Sequence, residues 1–442
     1  MAQVMNIEIT KKEIIKPSSP TPHYLKRFKL SLLDQLAPVA YGPLVLFYPN
    51  NVNGVATEER SQQLKKSLSE TLTRFYPLAG RIKDNIFIDC NDEGAIYVEA
   101  QVNSLLSTFL HQPDFDFLKL FLPIEVGSSE AATGPLLLVK ASFFECGGLA
   151  IGVCFSHKLA DASTLGLFVK AWAATSLGIG DTVVPDFSSA AIRFPPRDFS
   201  VQRPAVEMKI GKCVTRRFVI DGPKMRDLKA KVTSGSVEKP TRVEAVNSLI
   251  WSCAMNASKL SSGASKVSMV SQSVNIRKRI VPPLLQTSVG NLVGYYAVRT
   301  DESGIELKEL VSQMRKAMIE FNENHPKRLK GENMFEVICE YFKEIGSIMR
   351  RDDINFFICT SVCNFGIYEI DFGWGKPIWA TIPGGTLKNV ATLMDTIERD
   401  GVDAWISLSE EDMAIFERDP ELLAFASVNP SVFEPVTRSS SL

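Results

Sequence analysis

The sequence predicts an α/β protein, and three observations carry that prediction. Apolar runs with strand character and segments with helical spacing interleave from one end of the chain to the other. Hydrophobic residues make up 45% of the 442 and charged residues 22%, a globular rather than a disordered composition. No internal repeat is visible, so a solenoid or propeller is set aside. At roughly 100–200 residues per domain, the length predicts two to four domains, or two large ones sharing an interface.

The elements follow in order. After an extended start through Ser18-Ser-Pro-Thr-Pro22, Leu64, Leu68, Leu72 and Phe75 recur at helical spacing and predict a helix over Thr57–Phe75. Pro77 in Tyr76-Pro-Leu-Ala-Gly-Arg81 ends it. Ile86–Ile88 and Ala95–Ala100 read as a strand pair around the turn signal Asn91-Asp-Glu-Gly94. Pro135–Phe144 and Leu149–Phe155 read as a hairpin closed by Glu145-Cys-Gly-Gly148, and a helix follows over Ala162–Ala174. Between Asp181 and Ile210, Pro185, Pro195-Pro196 and Pro204 mark a crossover between domains. Beyond it we expect a strand at Val214–Ile220 and helices at Pro223–Val232 and Arg242–Ala257. Strands follow near Val267–Val274 and Gly294–Val298, then helices at Ile305–Phe321 and Phe335–Met349. The last stretch reads as strands at Ile367–Ile370, Val390–Asp395 and Ala404–Leu408, with a short helix from Glu410.

Forty-nine basic side chains balance 50 acidic ones. With no basic surplus to displace phosphate counterions, nucleic-acid binding is not expected. The eight cysteines lie far apart, without C-x-x-C or zinc spacing, and read as buried free thiols in a reducing compartment. No basic region followed by a long apolar core opens the chain, and the longest apolar runs fall short of the ~18 residues that span a bilayer. The Ser-Ser-Ser-Leu end lacks the basic middle residue of the peroxisomal signal, so the cytosol is the expected location. G-x-G-x-x-G after a strand, G-x-x-x-x-G-K-[ST], G-x-S-x-G and H-E-x-x-H are all absent. Dinucleotide redox, P-loop, standard serine-hydrolase and zinc-protease chemistry therefore lose ground together.

Only four histidines occur, at 23, 111, 157 and 325. The run Leu149-Ala-Ile-Gly-Val-Cys-Phe-Ser-His157-Lys-Leu-Ala-Asp161 delivers one of them at the end of a strand, about five residues before a helix. Neutral imidazole accepts a proton near physiological pH, which suits general-base work at a sheet rim. Asp161 can equally be the cap of the following helix, and His157 a hydrogen-bonded rim histidine. Asp371-Phe372-Gly373-Trp374-Gly375, followed by Lys376-Pro377, places two glycines around a tryptophan and reads first as a structural turn anchored by Trp374. Val274-Asn-Ile-Arg277-Lys-Arg279 is either a solvated basic loop or the source of an arginine for a buried carboxylate or a phosphate.

These segments together resemble the plant BAHD acyltransferases, the H-x-x-x-D, coenzyme-A-dependent family. His157…Asp161 and Asp371-Phe-Gly-Trp-Gly375 match its two signatures in order. Tyr76-Pro-Leu-Ala-Gly-Arg81, Asn275-x-Arg277 and Gly290-Asn291 are similar to further family motifs. Pro17-Ser-Ser-Pro-Thr-Pro22, Leu33-Asp34-Gln35 and Phe143-Phe-Glu-Cys-Gly-Gly148 most resemble the branch of alkaloid and terpenoid acetyltransferases that includes vinorine synthase. One run departs: relatives often carry Thr-Ser-Trp-Cys-Arg-Phe-Gly where this chain has Thr360-Ser-Val-Cys-Asn-Phe-Gly366. If that tryptophan shapes the acyl end of the channel, Val362 makes this pocket roomier or more apolar.

The resemblance implies two similar mixed-sheet α/β domains, like chloramphenicol acetyltransferase, with a solvent channel between them. Residues 1–185 would carry the H-x-x-x-D motif and 213–442 the Asp-Phe-Gly-Trp-Gly motif. Residues 186–212 would be the crossover, and a late segment is a candidate to join the N-terminal sheet. It implies that His157 is the base, that Asp161 is structural and pairs with Arg277, and that Asn291 lies near the reacting centre as a candidate oxyanion donor. Thr241, Arg242, Ser271, Lys278 and Ser361 become candidates for binding coenzyme A. The implied reaction transfers acetyl from acetyl-CoA, a cosubstrate rather than a resident cofactor, to a hydroxyl of a plant alkaloid or terpenoid alcohol. No nucleophilic Ser or Cys is paired with His157 in the motif, so a ternary complex without an acyl-enzyme is expected. No metal, membrane or nucleic-acid partner is expected, and the chain is expected to act as a monomer. The alternatives are an acylsugar or phenolic O-acyltransferase, an N-acyltransferase, and a noncatalytic binding scaffold of the same family.

Overall fold

The computed structural model describes residues 5–50, 56–113, 116–179, 183–199, 212–301, 305–330, 333–383 and 387–433. Residues 200–211 of the expected crossover and the Ser-Ser-Ser-Leu end lie outside them. Among the described residues the chain forms two large mixed sheets. The first has the spatial order Ile7–Ile15, Ala95–Val102, Leu137–Phe144, Leu149–Ser156, Tyr41–Tyr48 and Trp379–Thr381. Only the Ala95–Val102 and Leu137–Phe144 pair runs parallel. The second has the order Val293–Thr300, Val267–Asn275, Ile354–Ser361, Val390–Asp395, Val402–Leu408, Val214–Ile220 and Ser427–Val428. Ile354–Ser361 runs parallel to both its neighbours, and the remaining pairs are antiparallel. A small sheet of Arg27–Lys29, Phe87–Asp89 and Arg81–Lys83 lies apart.

Helices cover the sheets by the faces their spacing provides. In Thr57–Arg74, Leu64, Leu68 and Leu72 are fully buried on the first core. Arg242–Ser262 begins with a Thr241–Glu244 capping box, ends at Gly263 in the left-handed conformation, and buries Leu249, Ile250 and Trp251 on the second core. A third, smaller cluster joins early and late residues: Leu32, Leu33 and Leu36 pack with Ile276, Leu292 and Phe321. Just after Pro185, Asp186 is stitched to the Thr287–Val289 segment by two backbone hydrogen bonds and one to the Ser288 hydroxyl at 2.7 Å.

Most expected elements form, and the exceptions have physical causes. The strand pair expected around Asn91–Gly94 does not exist as a hairpin. Phe87–Asp89 pairs in the small sheet, while Ala95–Val102 pairs with Ile7–Ile15 and Leu137–Phe144, so tertiary partners override the local turn signal. The strand expected at Ile367–Ile370 is a 3-10 turn over Ile367–Glu369, entered through Gly366 with φ of 64°. The helix expected to stop at Phe321 runs over Leu307–Arg328 and includes Pro326 near its end. None of the eight cysteines forms a disulfide; six are buried as expected, but Cys146 and Cys213 are only half-buried.

Candidate active site

The strand Leu149–Ser156 is buried along its whole length, which fixes where it ends. There the His157 amide donates to the Ala40 carbonyl at 2.9 Å, and the Leu159 amide closes a tight turn on Ser156 at 3.1 Å. The imidazole is half-buried, with Nδ1 3.1 Å from the Ala160 carbonyl oxygen. A carbonyl only accepts, so Nδ1 carries the proton and Nε2 presents its lone pair. Desolvation lowers the His157 pKa below its ordinary 6.5, against opposing pulls from the Ala160 carbonyl, Asp161 and Asn291. The ring is thus kept neutral. Gly42 leaves room beside it: a methyl there would stand 3.3 Å from Nε2.

Asp161 faces Arg277 instead of the imidazole. Its carboxylate takes Nη1 of Arg277 at 2.7 Å and Nη2 at 3.1 Å, a bidentate pair between side chains only 5% and 0% exposed. It also caps the helix Ala162–Ser176 through the Thr164 amide at 2.8 Å and receives the Leu292 amide at 3.1 Å. The two readings left open for Asp161, cap and arginine partner, therefore hold at once. The remaining donors of Arg277 reach the Ser288 and Gly290 carbonyls at 2.9 and 3.1 Å, the Thr164 hydroxyl at 3.2 Å and Oδ1 of Asn275 at 3.3 Å. The guanidinium joins the helix after His157 to the loop that delivers Asn291.

Asn291 lies next to His157 but is not free to bind an oxyanion. One side-chain amide has two N–H donors. Here Nδ2 is 2.6 Å from the His157 carbonyl oxygen and 3.0 Å from Oδ1 of Asp34, so both are engaged. The expected oxyanion donor is thereby a link between the His157 main chain and a buried carboxylate.

Asp371 accepts the Gly373 and Gly375 amides on Oδ1 at 2.7 and 3.0 Å, and both glycines have positive φ, 113° and 102°. Phe372 is fully buried against Trp172, and its carbonyl receives Gln63 and Ser176 at 2.8 and 2.7 Å. Trp374 stacks on Phe372 and meets Tyr48 edge-on. These contacts of the motif hold the fold together.

The five residues singled out for coenzyme A differ in availability. Thr241 is occupied as a helix cap. Arg242 gives Nη1 to the Arg399 and Gly401 carbonyls and Nη2 to Asp395 at 2.8 Å and Asn364 at 3.2 Å. Ser271 is buried within the strand Val267–Asn275, Lys278 is exposed, and Ser361 accepts the Cys363 amide at 3.2 Å. Val362 is buried and borders a small, partly open pocket with Tyr368, Met394 and Arg399. Among the described residues no group of three His, Cys, Asp or Glu side chains is arranged to hold a metal ion, and no helix is long and apolar enough to cross a membrane.

Two contacts of this site escaped the sequence. Lys158 is buried, and its ammonium donates to the Asp34 and Gln35 carbonyls at 2.8 and 2.7 Å. Asp34 reaches Asn291 across 257 residues of chain. The spacing Ser31-x-x-Asp34 was legible as a helix start, but nothing local announces its distant partner.

A model described as the Transferase family matches residues 5–423. A limonoid 7-O-acetyltransferase of Citrus sinensis is 38% identical across 96% of this chain and 99% of its own length. Stemmadenine O-acetyltransferase of Catharanthus roseus is 37% identical across 93% and 96%. The crystal structure of vinorine synthase superimposes with a TM-score of 0.84 at 36% identity, covering 96% of this chain and 99% of that one.

Proposed function

From the premise that this chain belongs to the Transferase family, the plant BAHD acyltransferases, we propose that it is an acyl-CoA-dependent O-acetyltransferase acting on an alkaloid or terpenoid alcohol. The observation that carries the reading is the fixed tautomer of His157: Nδ1 is held by the Ala160 carbonyl, and Nε2 is left basic beside Gly42.

In this reading the acceptor hydroxyl gives its proton to Nε2 as its oxygen bonds to the thioester carbon. The tetrahedral intermediate collapses with cleavage of the C–S bond, and the imidazolium returns the proton to the departing thiolate. The products are the ester and free coenzyme A. Asp161 and Arg277 neutralise each other and hold the turn, so the carboxylate is a structural member of the motif rather than a proton carrier. Asn291 serves by holding the main chain of His157. Both Asn291 donors being engaged, oxyanion stabilisation falls to other groups. Lys278 is the coenzyme-A candidate whose exposed, cationic side chain suits contact with a phosphate. Residues 1–185 and 213–442 act as the two domains of the enzyme, with Trp379–Thr381 returned to the first sheet, and the protein works as a cytosolic monomer.

The test is incubation with acetyl-CoA and a panel of terpenoid, alkaloid, phenolic and sugar alcohols plus amines, read as thiol release and product mass. Acetyl esters of apolar polycyclic alcohols are expected. Amide products alone would make it an N-acyltransferase, and no turnover across the panel would favour a binding scaffold.

A further inference from the structure

We propose that Asp34 is a positioning residue of the transfer reaction, setting the place of His157 through Asn291; the inference rests on the reading of His157 as the base. Asp34 is 1% exposed, and its two oxygens divide their work. Oδ2 takes the Ser31 amide at 2.9 Å and the Ser31 hydroxyl at 2.6 Å, closing the capping box of the short helix Leu32–Leu36. Oδ1 takes the Asn291 amide at 2.7 Å and the Asn291 side chain at 3.0 Å. The second hydrogen of that side-chain amide goes to the His157 carbonyl oxygen at 2.6 Å.

Lys158, the next residue, makes a second and separate grip. Its buried ammonium donates to the Asp34 and Gln35 carbonyls at the end of the same helix. A five-residue helix from the start of the chain therefore holds the His157–Lys158 peptide at two points, one of them through a loop of the other half. A carboxylate that served only to cap the helix would need one oxygen. The other is spent on Asn291, whose side-chain amide bonds Asp34 and the His157 carbonyl. Four donors converge on Asp34, so an amide in its place must turn an NH₂ toward one of the two donor pairs. Asp34→Asn accordingly breaks either the cap or the link to Asn291.

Asp34→Asn, Ser31→Ala and Asn291→Ala separate a positioning role from a helix-cap role. Ser31→Ala removes the hydroxyl that donates to Oδ2 and accepts the Asp34 amide, leaving the bonds of Oδ1 to Asn291 in place. With saturating acetyl-CoA, Asp34→Asn is expected to lower kcat at least tenfold while both KM values stay within about threefold. Ser31→Ala should melt earlier yet keep kcat, and adding Asp34→Asn to Asn291→Ala should cost little more. The imidazole Hε1 resonance of His157, identified among four histidines by its loss in His157→Gln, gives a readout independent of turnover. It should move in Asp34→Asn and stay in Ser31→Ala. Equal kcat losses in the two variants, tracking equal losses in melting temperature, would overturn the proposal, as would an unmoved resonance with wild-type kcat in Asp34→Asn. Should the wild type transfer acetyl to no acceptor, the functional reading fails, and the resonance alone decides the link.

Discussion

Replacing Arg277 with methionine strands the Asp161 carboxylate in the interior. In the native protein that carboxylate has four partners: two guanidinium nitrogens and the amides of Thr164 and Leu292. The variant keeps the two amides and loses the countercharge, while the Ser288 and Gly290 carbonyls lose their donors. Breaking a buried pair from one side costs about 3–5 kcal/mol, against 0–1 for an exposed pair. With both side chains at most 5% exposed, the larger figure applies. At about 2–4 °C per kcal/mol, the melting midpoint should fall by roughly 6–20 °C. Asp161→Asn, which strands the arginine instead, should lose a comparable amount. The double variant should recover part of the loss, because neither charge is then left alone. Calorimetry on the four proteins gives the cycle directly. A loss below about 1 kcal/mol in Arg277→Met, or strict additivity in the double variant, would refute the reasoning.

Three further outcomes are expected. The acid limb of the kcat/KM profile should lie below pH 6.5, because desolvation lowers the His157 pKa and the base stays neutral further into acid; a midpoint at or above 6.5 would contradict this. Stability should fall as pH drops from 6.5 toward 4, because burial lowers His325 to about 4 and the unfolded chain alone takes up the proton in that window. In unfolding titrations His325→Gln should flatten that slope, leaving the part due to His157. Asp371→Ala removes the acceptor for two turn amides and should destabilise by roughly 1–3 kcal/mol, while kcat per mole of folded protein, from active-site titration, is kept.

The sequence made local features readable and left long-range ones out of reach. Period and caps placed Thr57–Arg74, Ala162–Ser176 and Val214–Ile220 within a few residues. Ile7–Ile15 was missed because none of its residues is fully buried and lysines and glutamates interrupt its apolar pattern, typical of an edge strand. Trp379–Thr381 is three residues long and becomes a strand only because Val45, Leu46 and Phe47, more than 300 residues earlier, offer an edge. The site divides in the same way. His157 and Asp161 share a turn whose spacing is visible, and the choice of Arg277 as carboxylate partner came from family resemblance. Asp34 and Lys158 carry no local mark of their contacts, since each depends on how the short helix Leu32–Leu36 docks beside His157. Asn291 was placed near the centre, but its donor geometry, visible only in the fold, turns a candidate oxyanion donor into a link.

The account depends most on Nε2 of His157 taking the proton of the acceptor. Thiol release from acetyl-CoA, with a responsive alcohol at saturation, should be compared between wild type and His157→Gln at pH 7.5, after matched melting curves establish that both are folded. A positioned base is worth about 10²–10⁴ in rate, so kcat should fall at least a hundredfold with KM for acetyl-CoA little changed. A folded His157→Gln protein that keeps kcat within a few-fold of wild type would contradict the mechanism.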